Sequence, residues 1–420
     1  MNNNKNIIMY IPILKKNITF TPYIFYTDFL KEIAMAYKAF PNGKIQFTLT
    51  DEGEYSFFES TYRIDPIAIP LLLSISQQLK KFHNEPIDLI LYNTRGTVDV
   101  LEFLYLSDFF YLSGSNKLSQ FPTGQNIYHF NEQLIGSLKG RIIKAQHKIR
   151  GYSIDDNNVK AIKEQYKENE EVLRDVLVEH YTYLVKEHFL ALLYENKFTS
   201  SQHNLFINIL SELITNGVIH SKSSAFALMF VDRFKTKFSI SDNGIGFTES
   251  LKCKKANNYY KPYELTTLLN NKNYFKNINE NIINNLISIF EALFYSFMKN
   301  RRGIFDLMIN VVLNSQGYFR LHSENSQIII SNRMREQLIP LNSLRETIFE
   351  YHNMYELNII NNDDYNKIII PLKEKALKLF ASFFTSVQNK FNSDIKFSSI
   401  RFYSVKFRGV HIEVEIPNNL

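Results

Sequence analysis

The chain carries a single cysteine, Cys253, among its 420 residues. That excludes an internal disulfide framework and any metal site built from a cysteine cluster. It fits a reducing compartment, so a cytoplasmic location is expected. Tryptophan is absent, while Asn, Lys, Ile, Tyr and Phe are abundant. This is the composition of an AT-rich genome and carries no functional weight. No uninterrupted apolar run approaches the ~20 residues of a membrane-spanning helix. The opening stretch MNNNKNIIMYIPILKKN has a short apolar run broken by Pro12 and no small-residue cleavage site. Neither a signal peptide nor a membrane association is therefore expected. Excess charge is small too: 48 Lys and Arg against 42 Asp and Glu leave +6. That permits an anionic ligand without demanding nucleic acid, for which no motif is found. What is present is apolar bulk. At 45% hydrophobic and 21% charged residues the chain can bury a large core, and its length allows two or three domains.

The first third reads as mixed α/β. Lys44–Thr50 alternates as a strand does, residues 64–82 hold Leu71, Leu72, Ile75 and Leu79 at helical spacing, Ile87–Tyr92 is a short apolar run and residues 98–110 look helical. Such an order predicts a small layered α/β domain over residues 1–130. Residues 131–200 read as a charged helical connector; residues 157–175 form either a solvated face or a helix of a connecting pair or dimer. Residues 201–420 predict a helix over 202–221, strands over 225–231 and 236–241, a helix over 304–314, strand signals at 318–322 and 327–331, and a last strand over 409–417. The whole is expected to be α/β (α+β).

Three segments in this last part carry chemistry. On the helix NLFINILSELITNGVIHS, the residues Phe206, Ile209, Leu210, Leu213 and Gly217 share one sector, the core face. Asn208, Glu212, Asn216 and His220 form a row beside it at intervals of four. Such a row is an ordinary helix boundary, and it is also a useful pair: an amide oxygen can ligand Mg²⁺, and a carboxylate one turn away can orient or deprotonate water. In SISDNGIGF, Asp242 ends a strand before Gly244 and Gly246. The segment is compatible with a hairpin turn, or with close approach of a ligand whose exocyclic amine the carboxylate would receive. In RRGIFDLM, Gly303 precedes a helical pattern with Arg301 and Arg302 beside it, where backbone N–H groups could meet phosphate.

The order of these segments resembles the GHKL ATPase superfamily, also called the Bergerat or histidine-kinase-like ATPase fold. ELITNGVIHS (212–221) resembles its N box, DNGIGF (242–247) its G1 box, RRGIFDLM (301–308) a degenerate G2 box with Phe305 where a second glycine is expected, and RGVHIEVEIP (408–417) its closing strand. The resemblance implies a C-terminal Bergerat-type α/β sandwich with a mixed sheet over 201–420, with a lid at about 251–302 and an insertion at about 332–400. It implies ATP and Mg²⁺ as cofactors. Glu212 would be the general base, and Asn216 would hold Mg²⁺ on the phosphates. Asp242 would bond the adenine amino group, and Gly244 and Gly246 would let the loop pass the nucleotide. His220, Arg302 and Gly303 would complete the nucleotide-contacting set. Gly217 stands where the family usually has Ala. Residues 251–302 hold nine Lys and Arg against three Glu, a surplus as large as that of the whole chain. That surplus suits a solvated loop, phosphate neutralisation or an anionic partner. Residues 64–110 are similar in pattern to a STAS-type domain, with Pro66-Ile67 where a phosphorylatable hydroxyl often stands.

The expected function is thus an ATP-binding, ATP-hydrolysing conformational switch, with a protein partner or self-association. The alternatives are a protein kinase of the anti-sigma or histidine-kinase type and a nucleotide-binding scaffold without turnover. His180 and His188 lack the sequence context of a phosphoacceptor.

Overall fold

A computed structural model describes residues 7–55, 62–117, 123–138, 146–221, 223–270, 280–389 and 398–418. It is mixed α/β with both parallel and antiparallel pairing. The chain forms two compact units: one runs to Gly244 and includes Tyr403–Phe407 and Asn418, and the other holds Ile245–Phe402 and Arg408–Pro417.

The first unit begins with strands β1 (Ile8–Leu14) and β2 (Thr19–Phe20). Helix α1 (Pro22–Ile24) runs through a π turn into α2 (Leu30–Ala39). Strands β3 (Lys44–Thr50) and β4 (Arg63–Ile64), helix α3 (Ile69–His83) and strand β5 (Ile87–Ile90) follow, then helices α4 (Val98–Leu106) and α5 (Phe109–Ser113) and strand β6 (Tyr128–His129). β1, β3, β5 and β6 line up in that order as a parallel sheet. Parallel strands need crossover connections, and α2 and α3 supply them. α3 starts where Asp65 accepts the Ile67 N–H at 3.3 Å and Pro66 opens a 3₁₀ turn. It ends at Asn84 in the left-handed region.

Helix α6 (Glu132–Ser137), strand β7 (His147–Ser153) and helices α7 (Asn157–Gln165), α8 (Glu170–Glu195) and α9 (His203–Ser221) come next, then strands β8 (Ser224–Val231) and β9 (Lys235–Asp242). β7, β8 and β9 are antiparallel neighbours. β7 lies inside the segment expected to be a helical connector. Its sequence HKIRGYS hides the strand because Lys148 and Arg150 supply charge; both reach back to Asp108, at 3.0 and 2.8 Å. One face of β8 joins the core of the parallel layer through Phe226 and Leu228, in one buried cluster with Phe47, Leu71 and Leu72. Each such buried side chain contributes ~1.5–3 kcal/mol.

The second unit contains helices α10 (Gly246–Lys252), α11 (Glu264–Asn270), α12 (Glu280–Met298) and α13 (Ile304–Ile309), strand β10 (Tyr318–Ser331), helices α14 (Arg335–Glu356) and α15 (Asn362–Asn389) and most of strand β11 (Ile400–Pro417). α12 is a core helix. Phe290, Phe294 and Phe297 meet Phe380, Phe383 and Phe384 of α15 largely edge to face. The segment expected as a lid is therefore mostly helix. Lys272 and Lys276, counted in its basic surplus, lie outside the described residues. The two strand signals at 318–322 and 327–331 are one strand, β10. The Ser-Glu-Asn-Ser that separates them in sequence stays in the strand because its polar groups are bonded: Asn325 accepts from Asn285 at 2.8 Å and Ser326 donates to the Ile282 carbonyl at 2.8 Å. The helix expected over 304–314 is α13 followed by a π turn at Asn310–Asn314. The segment 332–400 forms the long pair α14 and α15 up to Asn389, and residues 390–397 lie outside the described residues. The closing strand starts at Ile400, nine residues before the expected alternation.

Candidate functional site

α9 is buried on more than its expected stripe. Phe206, Ile209, Leu210, Leu213 and Gly217 are buried as the spacing predicts, and so are Ile207, Ile214 and Val218. Ser211 and Thr215 are buried as well; each hydroxyl donates to the carbonyl four residues back at 2.7 Å. The helix can carry this because it packs between α8 on one side and β8 and β9 on the other. The row of polar residues runs from exposed Asn208 to half-buried Glu212 and Asn216. His220 lies in the last turn of the helix, and its side chain is outside the described residues.

Phe238 meets Phe206 of α9 at 5.4 Å between ring centres, and a β-carbon on Gly217 would stand 3.2 Å from both the Ala225 β-carbon and Ile240 Cδ1. By strand alternation Asp242 lies on the same face of β9 as Phe238 and Ile240. Ala225, directly under Gly217, is its ladder partner. The sheet thus brings the turn of helix at Asn216 and Gly217 to the strand end at Asp242, within one unit. The glycine is what allows the close approach.

Each member of the set has its own surroundings. Glu212 forms an ion pair with Arg174 of α8, and their side chains are 27% and 14% exposed. The Asn216 amide nitrogen is buried and has no hydrogen-bond partner among the described residues. Asp242 is buried and accepts the Gly244 N–H at 2.8 Å, closing an Asx turn. Asn243, also buried, is held by Gln77 and Gln78 of α3. The φ of Gly246, +71°, lies in the left-handed region that favours glycine.

Arg302 and Gly303 lie in the second unit, and their groups are already engaged. Arg302 makes a two-pronged pair with Glu346 at 3.0 and 3.1 Å, which raises its pKa above the ordinary arginine value. The Gly303 N–H donates to Asp306 at 2.9 Å and the Phe305 N–H to Ser296 Oγ at 3.1 Å. Two of the N–H groups at this helix start, those of Gly303 and Phe305, are thus bonded to side chains of the same unit. α13 has only six residues.

Sequence reasoning missed Arg174, Gln77 and Gln78. Arg174 is 38 residues from Glu212, and the glutamines are about 165 from Asn243, so no local spacing could have pointed to them. Among the described residues no group of three or more His, Cys, Asp or Glu side chains could hold a metal, and no helix is long and apolar enough to cross a membrane. Comparison with protein-family models, with curated proteins and with solved structures gave no match.

Proposed function

We propose that the chain binds ATP with Mg²⁺ at α9 and the Asp242 loop, and hydrolyses it as a conformational switch of the GHKL type. This reading takes α9 over β8 and β9 as part of a Bergerat-type α/β sandwich. The observation that carries it is the Asn216 amide nitrogen, buried without a hydrogen-bond partner among the described residues, one residue before the Gly217 that packs against Ala225, the ladder partner of Asp242. An unpaired buried polar group costs ~1–3 kcal/mol, a cost that a ligand would remove. Turning the amide by half a rotation exchanges its nitrogen and oxygen, so the same side chain can offer Mg²⁺ an oxygen. A single protein ligand suffices for Mg²⁺ when phosphates and waters fill its other positions; the ion would neutralise phosphate charge when bound. Asp242, fixed by its Asx turn, would accept from the adenine amino group.

Glu212 is the base of this reading, and its contact with Arg174 bears on it. A carboxylate committed to a guanidinium must loosen that pair before it can take a proton from water. That observation favours a second reading, nucleotide binding without turnover. Calorimetry with ATP and Mg²⁺ tests the first half: wild type should bind with micromolar to millimolar affinity, ~4–8 kcal/mol, and Asn216→Ala should bind at least tenfold more weakly. Absence of binding by folded wild type would sink the assignment. γ-Labelled ATP tests the second half. Release of phosphate that falls ~10²–10⁴-fold in Glu212→Ala, with binding retained, supports the switch. Labelled protein would indicate a kinase, and unaltered ATP the scaffold.

A further inference from the structure

The buried face of α3 has an unusual composition. Beside Leu71, Leu72 and Leu79 it buries Ser74, Ser76 and Gln77. Buried hydroxyls and amides destabilise a core unless they are bonded, and these are. Ser76 shares a 2.6 Å hydrogen bond with the Tyr128 hydroxyl in the parallel layer. Ser74, Gln77 and Gln78, which lie on one face with Ser74 three and four residues before the glutamines, converge instead on the end of β9, the residue after it and the start of β8. Ser74 Oγ donates to the Ser241 carbonyl at 3.2 Å. Gln77 accepts from the Asn243 amide nitrogen through Oε1 and donates to Ser224 Oγ at 3.4 Å through Nε2. Gln78 Nε2 donates to Asn243 Oδ1 at 3.0 Å. The Asn243 backbone N–H donates to the Ser224 carbonyl at 3.1 Å. The side chain next to Asp242 is therefore gripped at both ends of its amide, one end accepting and the other donating. A bonded polar network of this kind specifies one arrangement where apolar packing would allow several.

Resting on the nucleotide reading above, we infer that Gln77 and Gln78 are positioning residues for Asp242: by clamping Asn243 they aim the neighbouring carboxylate at the adenine edge, so α3 sets adenine selectivity. The polarity of the clamp makes it testable in the full-length chain. Gln78→Lys keeps a donor toward Asn243 Oδ1, and Gln78→Glu replaces it with an acceptor. Calorimetry should give Gln78→Lys a preference for ATP over GTP close to that of wild type. In Gln78→Glu, and in Gln77→Leu with Gln78→Leu, the preference should fall about five- to tenfold, the worth of one net hydrogen bond, with affinity for GTP unchanged. Hydrogen exchange of the Asn243 and Gly244 amides, measured without nucleotide, should quicken in the same variants. A role in folding alone would lower ATP and GTP affinity together and would not distinguish Lys from Glu. An unchanged ATP-to-GTP ratio in a Gln78→Glu protein that still binds ATP overturns the positioning role alone. Wild type that binds neither nucleotide overturns the reading on which it rests.

Discussion

Around Gly303, the buried Arg345 guanidinium donates to both oxygens of Asp306, at 3.0 and 3.1 Å, and to the carbonyls of Phe297, Lys299 and Arg301. Asp306 in turn takes the Gly303 N–H. Along α9, the Asn216 amide nitrogen is equally buried and has no such partner among the described residues. Both segments present a glycine beside polar residues, and both suggest phosphate or nucleotide in sequence. One closes the hydrogen bonds of Gly303, Phe305, Asp306 and Arg345 within its own unit. The other leaves a polar group unsatisfied, which is the condition under which a ligand gains most. Satisfaction of polar groups separates the two, and residue type does not.

The largest effect should follow from opening the closed loop. Arg345 is 1% exposed and Asp306 4%. Arg345→Met keeps much of the volume but leaves the Asp306 carboxylate and three carbonyls without their donor. Breaking a buried pair on one side typically costs ~3–5 kcal/mol. Denaturant unfolding of the variant should show a loss of that size, while the ATP affinity of molecules still folded is kept. A loss below ~1 kcal/mol would mean that the loop is not held as described, and the contrast with α9 would fall.

The same loop predicts an acid sensitivity. His352 donates from Nε2 to the Met298 carbonyl at 2.9 Å and shares a 2.8 Å hydrogen bond between Nδ1 and the Tyr365 hydroxyl. Burial lowers its pKa from 6.5 to about 4. Because the folded value is the lower one, the unfolded chain binds more protons between these limits. The stabilisation is complete above pH 6.5 and is lost as the pH falls toward 4. A gap of this size corresponds to at most ~3 kcal/mol. Stability measured across this range should fall less steeply in His352→Gln than in wild type. An unchanged slope would assign the acid sensitivity to other buried histidines, among them His147, whose pKa burial lowers to about 3.

These tests bear on what was legible in the sequence. Periodicity located α3, α9, β3, β8 and β9 to within a few residues, because each buries a regular face. It failed at β7, where the charges of Lys148 and Arg150 answer a partner some forty residues earlier, and at β10, where buried Ser and Asn around a half-buried Glu imitate a turn. The row from Glu212 to Asn216 was legible since helical spacing is local. The pairing of Glu212 with Arg174 and of Asn243 with α3 was not, since both depend on which elements the fold stacks together. Nor could RRGIFDLM reveal that the Gly303 and Phe305 N–H groups were bonded, as the partner of Phe305 is Ser296 and the hub residue Arg345 comes 39 residues after Asp306.

The smallest expected effect is the sharpest on the comparison itself. Arg302 is, with Arg301, one of the two charges expected from sequence to stand beside phosphate. Its side chain is half exposed and pairs with a Glu346 that is 44% exposed, with the guanidinium 4.9 Å from the centre of the Phe349 ring. Exposed pairs of this kind contribute only ~0–1 kcal/mol, because solvent screens them. Arg302→Ala should therefore change stability by less than ~1 kcal/mol. If the loop is closed, as its hydrogen bonds indicate, the variant should also bind ATP and AMP with the wild-type ratio of affinities, measured by calorimetry with Mg²⁺. The opposite result is easy to recognise: ATP affinity falls severalfold while AMP affinity stays. A cation that matters to the outer phosphates alone would have to leave Glu346 to reach them. The ion pair would then be a holding position for Arg302.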